Sequence, residues 1–270
     1  MTPDGLYRCQ NSSYEERGSG GRPILFSHGL LMDRRQYERQ IERLSDGRRC
    51  VAYDHRGQGD SEVPDSPAID METVYVDAAR LIERLDLAPC HVVGTSMGGF
   101  VALRLAARRP ELVSSIALLS TRAGPEPEEN LPKYEMLTSI ARWLGPRWLA
   151  GRLMPIFFGE TFLNDPDREE VRREQRRRLA DRSRQVYRAV DGVLYRPSVE
   201  GEIDAVDVPA LVVHGREDEA IPFEVGRRLA EALPDARFEG LPDGGHTLAV
   251  ERPDAVNRML ADFFEEVEGG

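Results

Sequence analysis

Short apolar runs recur along this chain at positions 23–27 (PILFS), 50–53 (CVAY), 91–93 (HVV), 115–119 (SIALL) and 210–213 (ALVV). Each is too short for a helix and has no polar face. Between them lie amphipathic patterns of helical period. Residues 35–44 put Tyr37, Ile41 and Leu44 on one face. Residues 74–85, 100–108 (closed by Pro110), 223–233 and 254–267 behave alike. Strands apolar on both sides, alternating with helices, predict an α/β fold with a parallel sheet covered on both faces. A hairpin over 6–9 and 12–16, broken by Gly18, Gly20 and Gly21, precedes them, and a last strand runs toward residue 241.

The alternation stops between residues 121 and 209. An apolar, aromatic half (LTSIARWLGPRWLAGRLMPIFF) is followed by a charged half (DREEVRREQRRRLADRSRQ), both of helical character. The predicted organisation is a core of residues 1–121 and 210–270 with a helical cap insertion over 122–209. The arginine run reads as a solvated helix face, because Glu169 with Arg173 and Glu174 with Arg178 make i,i+4 pairs.

At 270 residues with 40% hydrophobic residues the core needs no disulfide or metal staple. The net charge of −11 argues against a nucleic-acid partner. Positive charge is nearly all arginine, Lys133 being the one lysine. Cys9, Cys50 and Cys90 are odd in number and lack metal-ligand spacing, so free thiols in a reducing compartment are expected. No metal or cofactor is expected. Neither a secretion signal nor a membrane-spanning run is visible, so a cytoplasmic protein without a membrane partner is expected, as a monomer or small homo-oligomer.

The joint between the strand at 91–93 and the helix after it reads Gly94-Thr95-Ser96-Met97-Gly98. Glycines on both sides permit a very sharp turn that holds Ser96 at the sheet edge and at a helix N-terminus. A serine hydroxyl is a poor nucleophile at neutral pH and needs a base with an orienting group. Asp218, in the loop after the strand at 210–213, suits the orienting carboxylate, and His246, after Gly244 and Gly245, suits the base. The N–H of Met97 and of Leu30, in the loop Ser27-His28-Gly29-Leu30-Leu31, are candidate oxyanion donors. His28 is grouped with the substrate pocket, as scaffold of that loop. His55, His91, His214, Asp54 and Asp60 are read as structural. Tyr134, Trp143, Trp148, Phe157 and Phe158 can line an apolar acyl pocket or form the insertion's own core, and the pattern does not choose.

Four motifs in order, PILFSHG, YDHRGQGDS, GTSMGG and HGREDEAIP with GGHT, resemble the alpha/beta-hydrolase superfamily over nearly the whole chain. YEERGSG, LVVHGREDEAIP and ERPDAVN are similar to small hydrolases of the 3-oxoadipate enol-lactonase and esterase type. The resemblance implies a mostly parallel eight-stranded sheet with a helical cap after the sixth strand. It also implies a metal-free hydrolase acting on a small carboxylic ester or lactone. The family's nucleophile, acid and base fall on Ser96, Asp218 and His246. The same machinery serves C–C bond hydrolases and cofactor-free perhydrolases, and some relatives act as small-molecule receptors. Aspartate-dependent dehalogenases and epoxide hydrolases are disfavoured by the serine at the turn.

Overall fold

The computed structural model describes residues 6–9, 11–66 and 68–269. Residues 1–5, part of the stretch read above for a secretion signal, lie outside the described residues. Eight strands form one sheet: β1 (Leu6–Cys9), β2 (Ser12–Arg17), β3 (Ile24–Ser27), β4 (Cys50–Tyr53), β5 (Cys90–Thr95), β6 (Val113–Leu119), β7 (Ala210–Gly215) and β8 (Ala236–Leu241). Their order is β1-β2-β4-β3-β5-β6-β7-β8, and only β2 runs against its neighbours.

Side-chain alternation divides the core into two layers. Leu25, Val51, Val92, Ile116 and Val212 point to one face, against α2 (Met71–Arg84), α3 (Met97–Arg108) and α9 (Phe223–Ala232). Phe26, Ala52, Val93, Ala117 and Leu211 point to the other, against α1 (Glu38–Leu44), α10 (Leu248–Glu251) and α11 (Pro253–Gly269). Covering both faces is why these strands read as unbroken apolar runs. Two helix starts differ from those periodicity indicates, α2 falling earlier and α1 later, for local reasons. Asp70 Oδ1 accepts from Thr73 N at 2.7 Å and starts α2 at Met71. Asp33 caps a 3-10 turn over Arg34–Tyr37 that precedes α1.

Chain order reverses around β3, which lies between β4 and β5. The crevice beyond the carboxyl ends of β3 and β5 is therefore the topological switch point, where ligands of such sheets bind. Between β6 and β7 the chain forms α4 (Leu131–Leu144), α5 (Ala150–Phe157), α6 (Glu160–Asn164), α7 (Glu169–Ala180) and α8 (Tyr187–Leu194). These helices share a separate apolar cluster with Leu31 and Met32 of the loop after β3. On α7, Arg173 pairs with Glu169 at 3.0 Å and Arg178 with Glu174 at 2.7 Å, as the i,i+4 spacing predicts. Cys50 and Cys90 are buried free thiols, their pKa pushed up to about 12 by burial. Among the described residues no helix is long and apolar enough to cross a membrane.

Three buried histidines give the fold a pH dependence. Burial lowers the pKa of His28 and of His55, and burial, opposed by Glu268, brings His91 down to about 4. The unfolded chain thus binds more protons than the fold once pH drops below about 6.5. Stability is full above that value and is lost as pH falls toward the folded values. His91 alone contributes about 2–4 kcal/mol across its window. Urea midpoints should fall steadily from about pH 7 to about pH 4.5. A flat profile over that range contradicts the account.

Candidate active site

Ser96 stands alone between the end of β5 and the start of α3, with φ 51° and ψ −111°. This left-handed conformation is held from three sides. Ser96 N donates to Leu119 O at 2.9 Å, while Thr121 Oγ1 and Phe100 N donate to Ser96 O at 2.8 and 3.1 Å. The flanking glycines make the turn possible. A Cβ on Gly98 would lie 1.8 Å from Ser27 O, and one on Gly94 2.3 Å from Gly98 O. The start of α3 therefore rests directly on the end of β3.

His246 lies in the loop between β8 and α10. Its Nδ1 is 3.0 and 2.9 Å from the two carboxylate oxygens of Asp218. Asp218 Oδ1 also accepts from Ala220 N and Ile221 N at 2.9 and 2.8 Å, and Oδ2 lies 3.2 Å from His214 Nε2. Burial pushes the pKa of Asp218 up. The charge of His246 and the hydrogen bonds from His214 and His246 outweigh burial and hold the carboxyl below its ordinary value. An anionic acceptor on Nδ1 makes that nitrogen the donor, which leaves Nε2 as the basic nitrogen of His246.

The loop after β3 is pinned at alternate residues. Gly29 N donates to Gln36 Oε1 at 2.9 Å and Leu31 N to Gln58 Oε1 at 2.8 Å. Among the described residues, no acceptor takes the N–H of Leu30 or of Met97. His28 is fully buried behind this loop, with Nδ1 2.7 Å from Gly29 O and Nε2 accepting from His55 N at 3.0 Å. It is scaffold and does not line the cavity, so its grouping with the pocket is corrected.

Ser96 and His246 open onto one cavity of about 120 Å³ between the sheet edge and the helices that follow β6. Its wall is mainly apolar, with Leu30, Phe100, Leu137, Ala141, Leu149, Leu153 and Phe157 among its residues. Tyr134 and Phe157 line it, and the Phe157 ring centroid is 5.9 Å from that of His246. Phe158 instead stacks on Phe162 inside the helical segment. Trp143 and Trp148 do neither and are 75% and 73% exposed. Here the sequence expectation fails, because α4 turns Leu137 and Ala141 inward and carries Trp143 outside. Among the described residues no cluster of His, Cys, Asp or Glu is placed to hold a metal.

Sequence reasoning missed Glu251. It is 1% exposed and, among the described residues, has no cationic partner, yet accepts from both sides of His246. Oε2 takes Gly245 N at 3.0 Å and Gly159 N at 2.9 Å. Oε1 takes Thr247 N at 2.9 Å and lies 3.1 Å from Thr247 Oγ1. One carboxylate thus fixes the His246 loop and ties it to the end of α5. The only sequence signal was its place in the ERPDAVN stretch. His214 was also missed as a partner of Asp218, since its strand position suggested packing alone.

A serine on a strand–helix turn, beside a buried Asp–His pair at the switch point of a doubly wound sheet, defines the class of alpha/beta hydrolases. The chain belongs to the alpha/beta hydrolase fold family, matched over residues 22–253. It is 32% identical over 270 residues, covering 96% of this chain and 99% of the other, to the "Putative non-heme bromoperoxidase BpoC" of Mycobacterium tuberculosis. A thermophilic esterase from Thermogutta terrifontis superposes with a TM-score of 0.87 at 30% identity, covering 99% of this chain and 96% of that one. The enol-lactonase from Burkholderia xenovorans gives a TM-score of 0.86 at 28% identity, covering 96% and 98%.

Glutamine at position 251 offers one acceptor oxygen where the carboxylate offers two. With its oxygen on Gly245 N and Gly159 N, the amide of Glu251→Gln turns an NH2 toward Thr247 N, which loses that acceptor, a cost of about 1–3 kcal/mol. The expected result is a stability loss of about 1–3 kcal/mol by urea titration, with turnover falling more than substrate affinity changes. Unchanged stability and turnover contradict the positioning role.

Proposed function

We propose that the protein hydrolyses small carboxylic esters or lactones through an acyl-enzyme. The observation that carries this reading is the buried Asp218 carboxylate on His246 Nδ1, in a cavity that His246 shares with Ser96. Ser96 Oγ attacks the carbonyl carbon while His246 Nε2 takes its proton. The N–H groups of Leu30 and Met97 hold the developing oxyanion, at the N-terminus of α3 where the helix dipole favours negative charge. The C–O bond to the leaving alcohol breaks and His246 returns the proton to it. His246 then takes a proton from water, the hydroxide attacks the acyl carbon, and Ser96 leaves as the protonated hydroxyl with release of the acid. Asp218 keeps the imidazole in one tautomer and offsets the imidazolium charge. In this reading residues 122–209 are a cap over a core of 1–121 and 210–270, and the apolar wall receives the acyl chain.

A specific observation favours a second reading of the same site. The 32% identical relative carries a bromoperoxidase name. Hydrogen peroxide in place of water would release a peracid from the same acyl-enzyme.

The test is a panel of aryl esters of increasing acyl length, several lactones, and acetate with peroxide. Ser96→Ala should abolish turnover on every active substrate. Asp218→Asn should lower kcat on the order of 10,000-fold. Retention of wild-type turnover by Ser96→Ala would falsify the acyl-enzyme reading. Peracid formation at rates far above ester hydrolysis selects the second.

A further inference from the structure

The chain has two tryptophans, and both are exposed on the same short stretch. Trp143 and Leu144 end α4, and Trp148 closes the 3-10 turn Pro146–Trp148 that follows. Leu144 is 57% exposed and Met136, two turns earlier, 58%. The cause is local. Gly145 at φ 96° stops α4 and Pro146 is buried, so the chain turns back with the indoles outside. Large apolar side chains clustered on a surface mark a contact site.

Their charge setting along the sequence is basic. From Met136 to Gly159 the sequence has Arg142, Arg147 and Arg152 and no acidic residue, in a chain of net charge −11. Arg184 lies against Gly145, with Nη1 3.5 Å from Trp143 O, and Arg176 lies against Gly151. Some exposed arginines elsewhere pair with carboxylates, as Arg227 does with Glu224 and Glu231, while Arg22, Arg43, Arg80, Arg228 and Arg258 form no ion pair among the described residues. Among the described residues, Arg147, Arg152, Arg176 and Arg184 form no ion pair. Arg142 lies over the rings of Trp143 and Tyr187, at 5.9 and 4.9 Å.

We propose that this face docks on the anionic surface of a phospholipid membrane, with both indoles at headgroup level and the arginines on lipid phosphates. The interleaving favours lipid over an acidic protein. Arg142 lies over the Trp143 ring, and Arg147 directly precedes Trp148 in the sequence. A headgroup layer, where phosphate and acyl boundary lie within a few ångströms, accepts that pattern without a shaped partner. The mode is peripheral, since no described helix is able to span a bilayer. It replaces the expectation of no membrane partner and does not depend on the ester reading, because binding is measured without turnover.

The tryptophans supply the probe, since all indole emission comes from this face. Wild-type protein is titrated at low salt with phosphatidylcholine vesicles and with mixed phosphatidylcholine–phosphatidylglycerol vesicles. The mixed vesicles should blue-shift the emission and sediment the protein, and high salt should reverse both. Arg147→Glu with Arg152→Glu should weaken partitioning by at least about 25-fold, from roughly fivefold per arginine. Trp143→Ala with Trp148→Ala, followed by sedimentation, should weaken it too. Both variants should keep the wild-type urea midpoint, which separates lost docking from misfolding. No shift and no sedimentation with mixed vesicles overturns the proposal. So does a blue shift that grows with protein concentration without lipid, which assigns the face to a second copy. Capture by polyglutamate with no vesicle binding assigns it to an acidic protein and equally overturns the proposal.

Discussion

The candidate site rests on a contact between two backbones, the carbonyl of Ser27 at the end of β3 and the α carbon of Gly98 in the first turn of α3. A Cβ there would fall 1.8 Å from the oxygen, so no other residue fits without moving a central strand or the helix. Because nothing intervenes, the N-terminus of α3 lies on the end of β3, and the loop after β3 crosses in front of it. Tyr37 reinforces the joint. Its buried hydroxyl donates to Ser27 O at 3.0 Å and lies 2.7 Å from Thr95 Oγ1, joining the ends of β3 and β5. The left-handed Ser96 costs on the order of 1–3 kcal/mol, which the surrounding hydrogen bonds must over-determine.

From that joint outward, side-chain acceptors fix the site's backbone. Gln36 and Gln58 hold the N–H groups on either side of Leu30. Gln58 Nε2 also lies 3.6 Å from Met97 Sδ, so one amide joins the loop after β3 to the side chain of the residue after Ser96. Glu251 holds the N–H groups on either side of His246. Deeper still, Asp54 accepts from Arg34 N at 2.7 Å and Asp60 N at 2.9 Å, closing the loop that carries Gln58. Each buried acceptor removes alternatives, because an unpaired buried N–H costs about 1–3 kcal/mol. A backbone held this way meets a developing charge without reorganising, which is the condition for electrostatic stabilisation to be large.

What was legible in the sequence follows from which forces are local. Strands buried on both faces announce themselves as apolar runs, and Gly94 and Gly98 mark a turn whatever the rest of the chain does. His246 stood out among the histidines because its position after the last strand matched a chain order. The acceptors were not legible. Gln36, Gln58 and Glu251 are ordinary surface residue types whose burial depends on contacts made across the fold. The inside and outside of α4 were equally hidden. Tyr134, Leu137 and Ala141 form one apolar face, while Met136 and Trp143 lie on another, so helical period alone does not select the buried one. The choice is made by Leu31, Leu179 and Val186, far away in sequence.

The two sides of the cavity are consequently held by different forces. On the α5 side, Thr247 N and Oγ1 lie 3.1 and 2.9 Å from Phe157 O, and Glu251 joins Gly159 to Gly245. Phe157 therefore cannot shift without disturbing the backbone that carries His246. On the α4 side, Leu137 and Ala141 are held by apolar packing, with no buried hydrogen bond to the sheet loops among the described residues. A volume change there is repacked at a cost of about 1–3 kcal/mol and leaves the polar frame intact. A comparable change on the α5 side adds the cost of unpaired buried groups. The fold thus separates the part of the cavity tied to the candidate base from the part free to vary in size. Variation in cavity size among chains of this architecture is physically cheapest at positions 137 and 141.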